Sequence, residues 1–240
     1  MKLESAAILI NKEKEWAKTI KQKIIKIFKK NKIKILSPKK SQIIITIGGD
    51  GTLLYYKNFY LKPYLAIGTK KSWLCQATNK NYLDYIKKLI KYGFGIEKRI
   101  MIGAYINKKR IPDCLNELTI RNKEHRIVEF RIKIKNKTYR FLADGVIFSS
   151  PTGSSAYAYS CGGKEMKKTQ EKYQIVAIAP YRRKFKQMIV DKKYKSKLYI
   201  RTTCKTDAVI DGQKEITLKD RTKIIVFVSE KRFEFVKKLK

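Results

Sequence analysis

Ile43-Ile44-Ile45-Thr46-Ile47-Gly48-Gly49-Asp50-Gly51-Thr52 is the stretch on which the fold turns. An apolar run reads as a strand, breaks at two glycines, and is followed by Leu53, Leu54 and Tyr55 as the start of a helix. Working outward, residues 6–10 form a second short apolar run, again a strand. Between them Trp16, Ile20, Ile24, Ile27 and Phe28 recur at helical spacing over residues 13–30, with lysines on the other face. Downstream, residues 64–67 give a further strand. Leu83, Ile86, Leu89 and Ile90 then predict a helix over 82–92 that stops at Gly93. Strands alternating with helices predict an α/β domain with a parallel sheet over residues 1–95.

Beyond that point the pattern changes. Val128, Phe130, Ile132 and Ile134 alternate with Glu129, Arg131, Lys133 and Lys135, the period of a half-buried strand. Asn136-Lys137 reads as a hairpin turn before a strand at 138–142. Short strand-like runs follow at 146–149, 175–179, 197–200, 208–210 and 224–228. They predict a β-rich, mainly antiparallel C-terminal domain over residues 96–240, the last residues having room to pack back on the first domain.

The chain has 240 residues, of which 43% are hydrophobic and 11% aromatic, so it can bury a core and is no charge-driven disordered protein. No apolar run approaches the roughly 20 residues that span a bilayer, and the first residues lack a signal-peptide core. A cytoplasmic location without a membrane partner is therefore expected. Cys75, Cys114, Cys161 and Cys204 form no C-x-x-C pair, which suits reduced thiols rather than zinc. His125 is the only imidazole, which excludes histidine-rich metal sites, and nothing around it suggests a Ser-His-Asp triad. The 57 Lys and Arg against 20 Asp and Glu give a net charge of +37. Spread over roughly 11,000 Å², these charges stand about 17 Å apart, roughly twice the screening length. A folded domain tolerates that density. The charge favours anionic ligands but selects none, and no specific nucleic-acid partner is expected.

Glycines at the end of the 43–47 strand let the backbone turn sharply and approach a phosphate, leaving amide N–H groups for its oxygens. Two readings of this loop stand: a phosphate cradle whose acid binds metal or takes a proton, and a tight turn N-capped by Asp50. A richer segment runs from Asp144-Gly145 through an apolar strand into Ser149-Ser150-Pro151-Thr152-Gly153-Ser154-Ser155-Ala156-Tyr157. Hydroxyls and amides gathered at one helix start suit ribose and phosphate; an ordinary serine N-cap is the plain alternative. Asn116-Glu117 interrupts an apolar stretch of Leu115, Leu118 and Ile120, so one of the pair faces inward and needs a partner, unless it merely marks a strand end. Asp211-Gly212 reads as a type I′ hairpin turn.

Taken together and in this order, these segments resemble the NAD kinase family. Its GGDGT loop stands at residues 48–52, its Asn-Glu pair at Asn116-Glu117, its long DGxxxSxPTGSxAYxxSxGG signature at 144–163, and its late DGQ at 211–213. GGDG alone is shared with diacylglycerol kinases, sphingosine kinases and phosphofructokinases; the Asn-Glu pair and the PTGS stretch argue against those. The resemblance implies an N-terminal α/β domain and a C-terminal β-rich domain. It also implies transfer of the γ-phosphoryl of ATP to the 2′-hydroxyl of the adenosine ribose of NAD, giving NADP, with Asp50 as general base. Gly48, Gly49, Gly51 and Thr52 would bind phosphate. Asp50, Gly51, Asn116, Glu117, Arg126 and Asp144 would bind NAD, with Ser155, Ala156, Tyr157, Ala158, Tyr159, Ser160 and Gln213. Mg²⁺ would arrive mainly through ATP, polyphosphate is the alternative donor, and a homodimer or homotetramer is implied.

The family's glycine-rich loop after the next strand is altered here to Ile67-Gly68-Thr69-Lys70-Lys71-Ser72-Trp73-Leu74. Leu142 replaces a basic residue, and the later Pro-His segment becomes Pro180-Tyr181-Arg182-Arg183. These departures bear on how NAD is told from NADH. Lys70 and Lys71 fit either a phosphate contact or a solvated basic loop. Two rivals differ in class: a diacylglycerol-type lipid kinase, which leaves Asn116-Glu117 and the PTGS stretch without a reason, and an inactive basic nucleic-acid-binding protein, which intact Asp50 opposes.

Overall fold

The computed structural model describes residues 1–124 and 126–239, so His125 lies outside the described residues. The chain forms two compact units, Met1–Lys98 with Phe233–Lys240, and Arg99–Arg232.

The first unit runs through β1 (Ser5–Ile10), α1 (Glu15–Lys30), β2 (Lys34–Ile35), β3 (Ile43–Ile47), α2 (Asp50–Tyr56), β4 (Tyr64–Gly68), β5 (Ala77–Thr78) and α3 (Tyr82–Tyr92). Its strands pair in parallel, with Ala6 of β1 beside Ile43 and Ile44 of β3 beside Tyr64 of β4. Every residue of β3 and β4 is buried. A strand covered on both faces has no polar side to show, which is why the sequence there runs apolar rather than alternating. Helix α1 buries Ala17, Ile20, Ile24 and Phe28 against the sheet and leaves its lysines outside. It begins at Glu15, two residues later than its periodicity predicts, because Lys14 is already extended. Phe233 stacks on Tyr64 at 5.2 Å, and the Tyr64 hydroxyl lies 3.1 and 3.0 Å from the carbonyls of Tyr56 and Tyr60.

The second unit begins within β6 (Phe94–Ile106) and continues through β7 (Lys109–Arg110), β8 (Glu117–Asn122), β9 (Val128–Ile134), β10 (Lys137–Ala143) and β11 (Gly145–Ser149). After a 3₁₀ turn come α4 (Tyr157–Ser160), β12 (Lys172–Ile178), β13 (Met188–Asp191), β14 (Ser196–Arg201), β15 (Thr206–Ile210) and β16 (Lys214–Leu218). The last strand is β17 (Lys223–Lys238), whose end belongs to the first unit. The strands β10-β9-β14-β17 run antiparallel within a larger mixed sheet, and β13-β12-β11-β8-β15-β16 form a second, antiparallel sheet. Phe130, Ile132, Leu198, Ile200 and Val226 of the first join Leu118, Ile120, Phe148, Ile175 and Ile210 of the second in one core.

Three expectations need correction. The hairpin turn is Lys135-Asn136, not Asn136-Lys137: Ile134 pairs with Lys137, and Lys135 takes the positive φ of 51° that this two-residue loop demands. No strand was expected at 94–106, and the 224–228 run extends to Lys238. Each of these long strands serves two cores in turn, so its burial pattern changes midway and no single period runs its length.

Phe28 is fully buried at the centre of the α1–sheet contact. Phe28→Ala is expected to cost about 3–5 kcal/mol in a denaturant melt. A loss below about 1 kcal/mol would show that this helix is not docked through Phe28.

Candidate active site

In the first unit, β3 delivers the chain to Gly48 and Gly49, whose φ values are 154° and 106°. A Cβ at Gly48 would run into Thr52 Oγ1 and stand 2.7 Å from the Asn11 Cβ, so no larger residue fits this turn. Lys14 donates to the Gly48 carbonyl at 2.6 Å, bringing an ammonium to the loop. The amides of Asp50 and Gly51 open α2 and have no intrahelical acceptor, which leaves them for an anion.

Asp50 is not an N-cap. Its carboxylate reaches across to the altered loop at 69–75, where Trp73 N–H donates to Oδ2 at 2.7 Å and Leu74 N–H to Oδ1 at 3.0 Å. The Cys75 thiol donates to Oδ1 at 3.3 Å. Ser72 tucks its hydroxyl under the loop, accepting from Thr69 N–H at 3.1 Å. Burial and the Asp50 charge push the Cys75 thiol far above its ordinary range. Lys70 and Lys71 stand exposed at the tip of this loop.

In the second unit, the carboxylate of Asp211 collects three consecutive backbone amides: Leu115 N–H at 2.9 Å, Asn116 N–H at 2.7 Å and Glu117 N–H at 3.1 Å. Asp211 and Gly212 form the β15–β16 turn with φ of 49° and 65°, closed by Gln213 N–H to the Ile210 carbonyl at 2.8 Å. This is the expected type I′ turn with a second task. The Ser150 hydroxyl donates to the Leu115 carbonyl and accepts from the amides of Thr152 and Gly153. Gly153 lies so close to the Asn116 backbone that a Cβ would collide with it. Ser154 is likewise tied inside, donating to Pro151 and accepting from Met166 N–H, both at 2.8 Å.

That scaffold fixes the register of β8, and alternation does the rest. Leu118 and Ile120 face the core, while Glu117, Thr119 and Arg121 face a cavity of about 320 Å³. Lys123, Tyr157, Asp207, Val209, Gly212 and Glu215 complete its lining. Glu117 and Asp207 are both buried, and Glu117 Oε2 and Asp207 Oδ1 have no hydrogen-bond partner. Lys123 bridges Asp207 and Glu215, the latter at 2.6 Å. Burial, and secondarily the Asp211 charge, lift Glu117 from 4.5 to about 8, so it holds its proton at neutral pH. The cavity thus offers carboxyl groups in its wall and two cations, Arg121 and Lys123.

Of the residues singled out in the sequence, Glu117 and Tyr157 line this cavity, and Asn116 and Gln213 flank lining residues. Asp144 and Arg126 are exposed, as are Tyr159 and Ser160, while Ala158 packs on Ile147 and Val176. Ser155 and Ala156 are half-buried. Thr119, Arg121, Lys123, Asp207 and Glu215 were missed. The alternation Glu117-Thr119-Arg121-Lys123 was the available signal for the first three.

Residues 115–238 match the family model described as the ATP-NAD kinase C-terminal domain. The chain belongs to the NAD kinase family. It is 31% identical over 200 residues to the NAD kinase of Thermoplasma volcanium, covering 82% of this chain and 74% of that one. It is 29% identical over 205 residues to the NAD kinase of Methanothermobacter thermautotrophicus, covering 82% and 72%. The fold of an Archaeoglobus fulgidus NAD kinase, solved in complex with ATP, matches with a TM-score of 0.83 at 23% identity, covering 98% of this chain and 94% of that chain. Yeast NADH kinase complexed with NADH matches with a TM-score of 0.86 at 16% identity, covering 100% and 84%. The fold of this chain is therefore that of the NAD kinases.

Two outcomes follow from the geometry. Asp211→Asn turns an acceptor into a donor facing three amides and is expected to destabilise the protein by about 2–4 kcal/mol in chemical melts; a neutral result would show that the clamp is dispensable. Glu117 carries a raised pKa in the fold, so its contribution to stability is full below about 4.5 and is lost as the pH rises through about 8. Glu117→Gln is therefore expected to gain on the wild type by at least about 3 °C in Tm between pH 5 and pH 9. A difference that stays flat with pH would show that Glu117 titrates normally.

Proposed function

We propose that the chain phosphorylates NAD, moving the γ-phosphoryl of ATP to the 2′-hydroxyl of the adenosine ribose to give NADP. The observation that carries this is the cavity of the second unit. Unfilled carboxyl oxygens suit ribose hydroxyls, and Arg121 and Lys123 suit a pyrophosphate, so one 320 Å³ hollow meets both demands of a dinucleotide. We assign NAD to the domain at 96–240, with Asn116, Glu117, Tyr157 and Gln213 among its contacts. The loop at 48–52 in the domain at 1–95 is assigned the phosphates. Thr119, Arg121, Lys123 and Asp207 are proposed to contact NAD as well. The family model's description and the ATP complex of the Archaeoglobus neighbour support ATP as donor.

Asp50 is the proposed general base. A carboxylate has about four acceptor sites, and three are filled here by Trp73, Leu74 and Cys75. The remaining site is the one proposed to accept the proton of the 2′-hydroxyl. Base catalysis of this kind contributes about 10²–10⁴-fold. Among the described residues no cluster of three or more metal-ligating side chains occurs, and Asp50 is committed to its loop. Mg²⁺ is proposed to arrive mainly with ATP. Among the described residues no helix is long and apolar enough to cross a membrane. A cytoplasmic homodimer or homotetramer completes the proposal.

Purified protein is expected to form NADP from NAD and Mg-ATP, and Asp50→Asn to lose at least about 10²-fold in kcat with little change in KM. A variant that melts far below the wild type would assign Asp50 to the loop rather than to the proton. A wild type that makes no NADP from NAD or NADH, with ATP or with polyphosphate, would overturn the function itself.

A further inference from the structure

The outward face of the β10-β9-β14-β17 sheet carries Arg131, Lys133, Arg140, Lys197, Arg201 and Lys223. Register sets like charges directly opposite one another: Arg140 faces Arg131, and Lys133 faces Lys197. Opposed like charges destabilise a sheet, yet none of these six cations has an ion pair among the described residues. Glu129, half-buried, is the one carboxylate among the outward positions of β9, β10 and β14, and Glu230 and Glu234 lie further along β17. The choice of cation is telling as well. Only 11 of the 57 basic residues are arginine, and all lie between Arg99 and Arg232, with three of them on this face. A lysine-rich chain here uses the group whose planar fork grips phosphate oxygens.

The face is also shaped. A hollow of about 630 Å³ is lined by Arg131, Lys133, Thr138, Arg140 and Tyr199, and a second of about 210 Å³ by Glu129, Arg131, Arg140, Tyr199 and Arg201. The Arg131 guanidinium lies over the Tyr199 ring, 4.6 Å from its centre. Arg131 and Lys133 stand two residues apart on β9, about 6.6 Å, Lys197 and Arg201 four apart on β14, about 13 Å, and neighbouring strands are about 4.8 Å apart, so no single phosphate reaches them all. A second copy of the chain would set two positive faces together. A sheet face with Tyr199 in the middle of β14 and arginines on either side of it suits an extended strand of phosphates and bases.

We propose that this sheet face binds single-stranded RNA, Arg131, Lys133, Arg140 and Arg201 holding successive phosphates. The site is separate from the cavity beside Glu117 and does not depend on the kinase activity. Fluorescence anisotropy of the full chain with a labelled 20-residue oligouridylate tests it. Four phosphate contacts predict a slope of about −2.8 for log affinity against log salt. The triple variant Arg131→Glu, Lys133→Glu, Arg140→Glu is expected to weaken binding about 100-fold at 100 mM salt. An equal charge reversal on the exposed face of α1, Lys23→Glu, Lys26→Glu, Lys30→Glu, should weaken it less than about 5-fold. Equal losses in the two triples would assign binding to net charge and overturn the site. Binding of inorganic polyphosphate without oligouridylate, or no binding at 50 mM salt, would overturn it too. Should the first triple fail to fold, Arg140→Gln with Lys197→Gln replaces it; relieving both opposed pairs should leave Tm unchanged or higher while weakening RNA binding about 10-fold.

Discussion

One carboxylate with three backbone amides sets the geometry of the second unit. Asp211 stands at the tip of the β15–β16 turn, and the amides of Leu115, Asn116 and Glu117 converge on it as the chain enters β8. Charge-assisted bonds of this kind are about twice as strong as neutral ones, and three on one group leave the strand entrance a single conformation. The Ser150 hydroxyl locks the Leu115 carbonyl from the other side, and Gly153 rests on the Asn116 backbone. Three segments far apart in sequence thus meet around two residues. Their product is the burial of Glu117 beside Asp211, and that burial, with the neighbouring charge, keeps its proton in place.

The PTGS stretch is a case of sequence chemistry meeting a different demand. Its hydroxyls and glycine suggest contact with a ribose or phosphate. Most of them are instead spent on the protein: Ser150, Thr152, Gly153 and Ser154 are all buried, and the bonds of Ser150 and Ser154 run to backbone groups. Chemistry that suggests a ligand contact is here used to fix the backbone of neighbouring residues.

Local patterning made much of the fold legible. Helix α3 and strand β9 fall where period and alternation put them, since each faces one core along its whole length. Strands β6 and β17 were hidden because their polarity answers to two cores in succession. In the site, Glu117 was legible as a polar interruption of an apolar run. Asp207 was not, because nothing along the chain tells a buried aspartate from an exposed one until β15 is laid beside β8, which puts it opposite Arg121. The partners of Asp50 were equally out of sight, since backbone amides leave no mark in sequence.

The thiol of Cys75 carries a chemical consequence. Attack on alkylating agents and peroxides requires a thiolate, and this sulfur is kept protonated by burial and by the carboxylate it touches. The thiol in contact with Asp50 is thereby a poor nucleophile. The protein can keep a polarizable, weakly donating group against Asp50 without exposing that loop to oxidative damage.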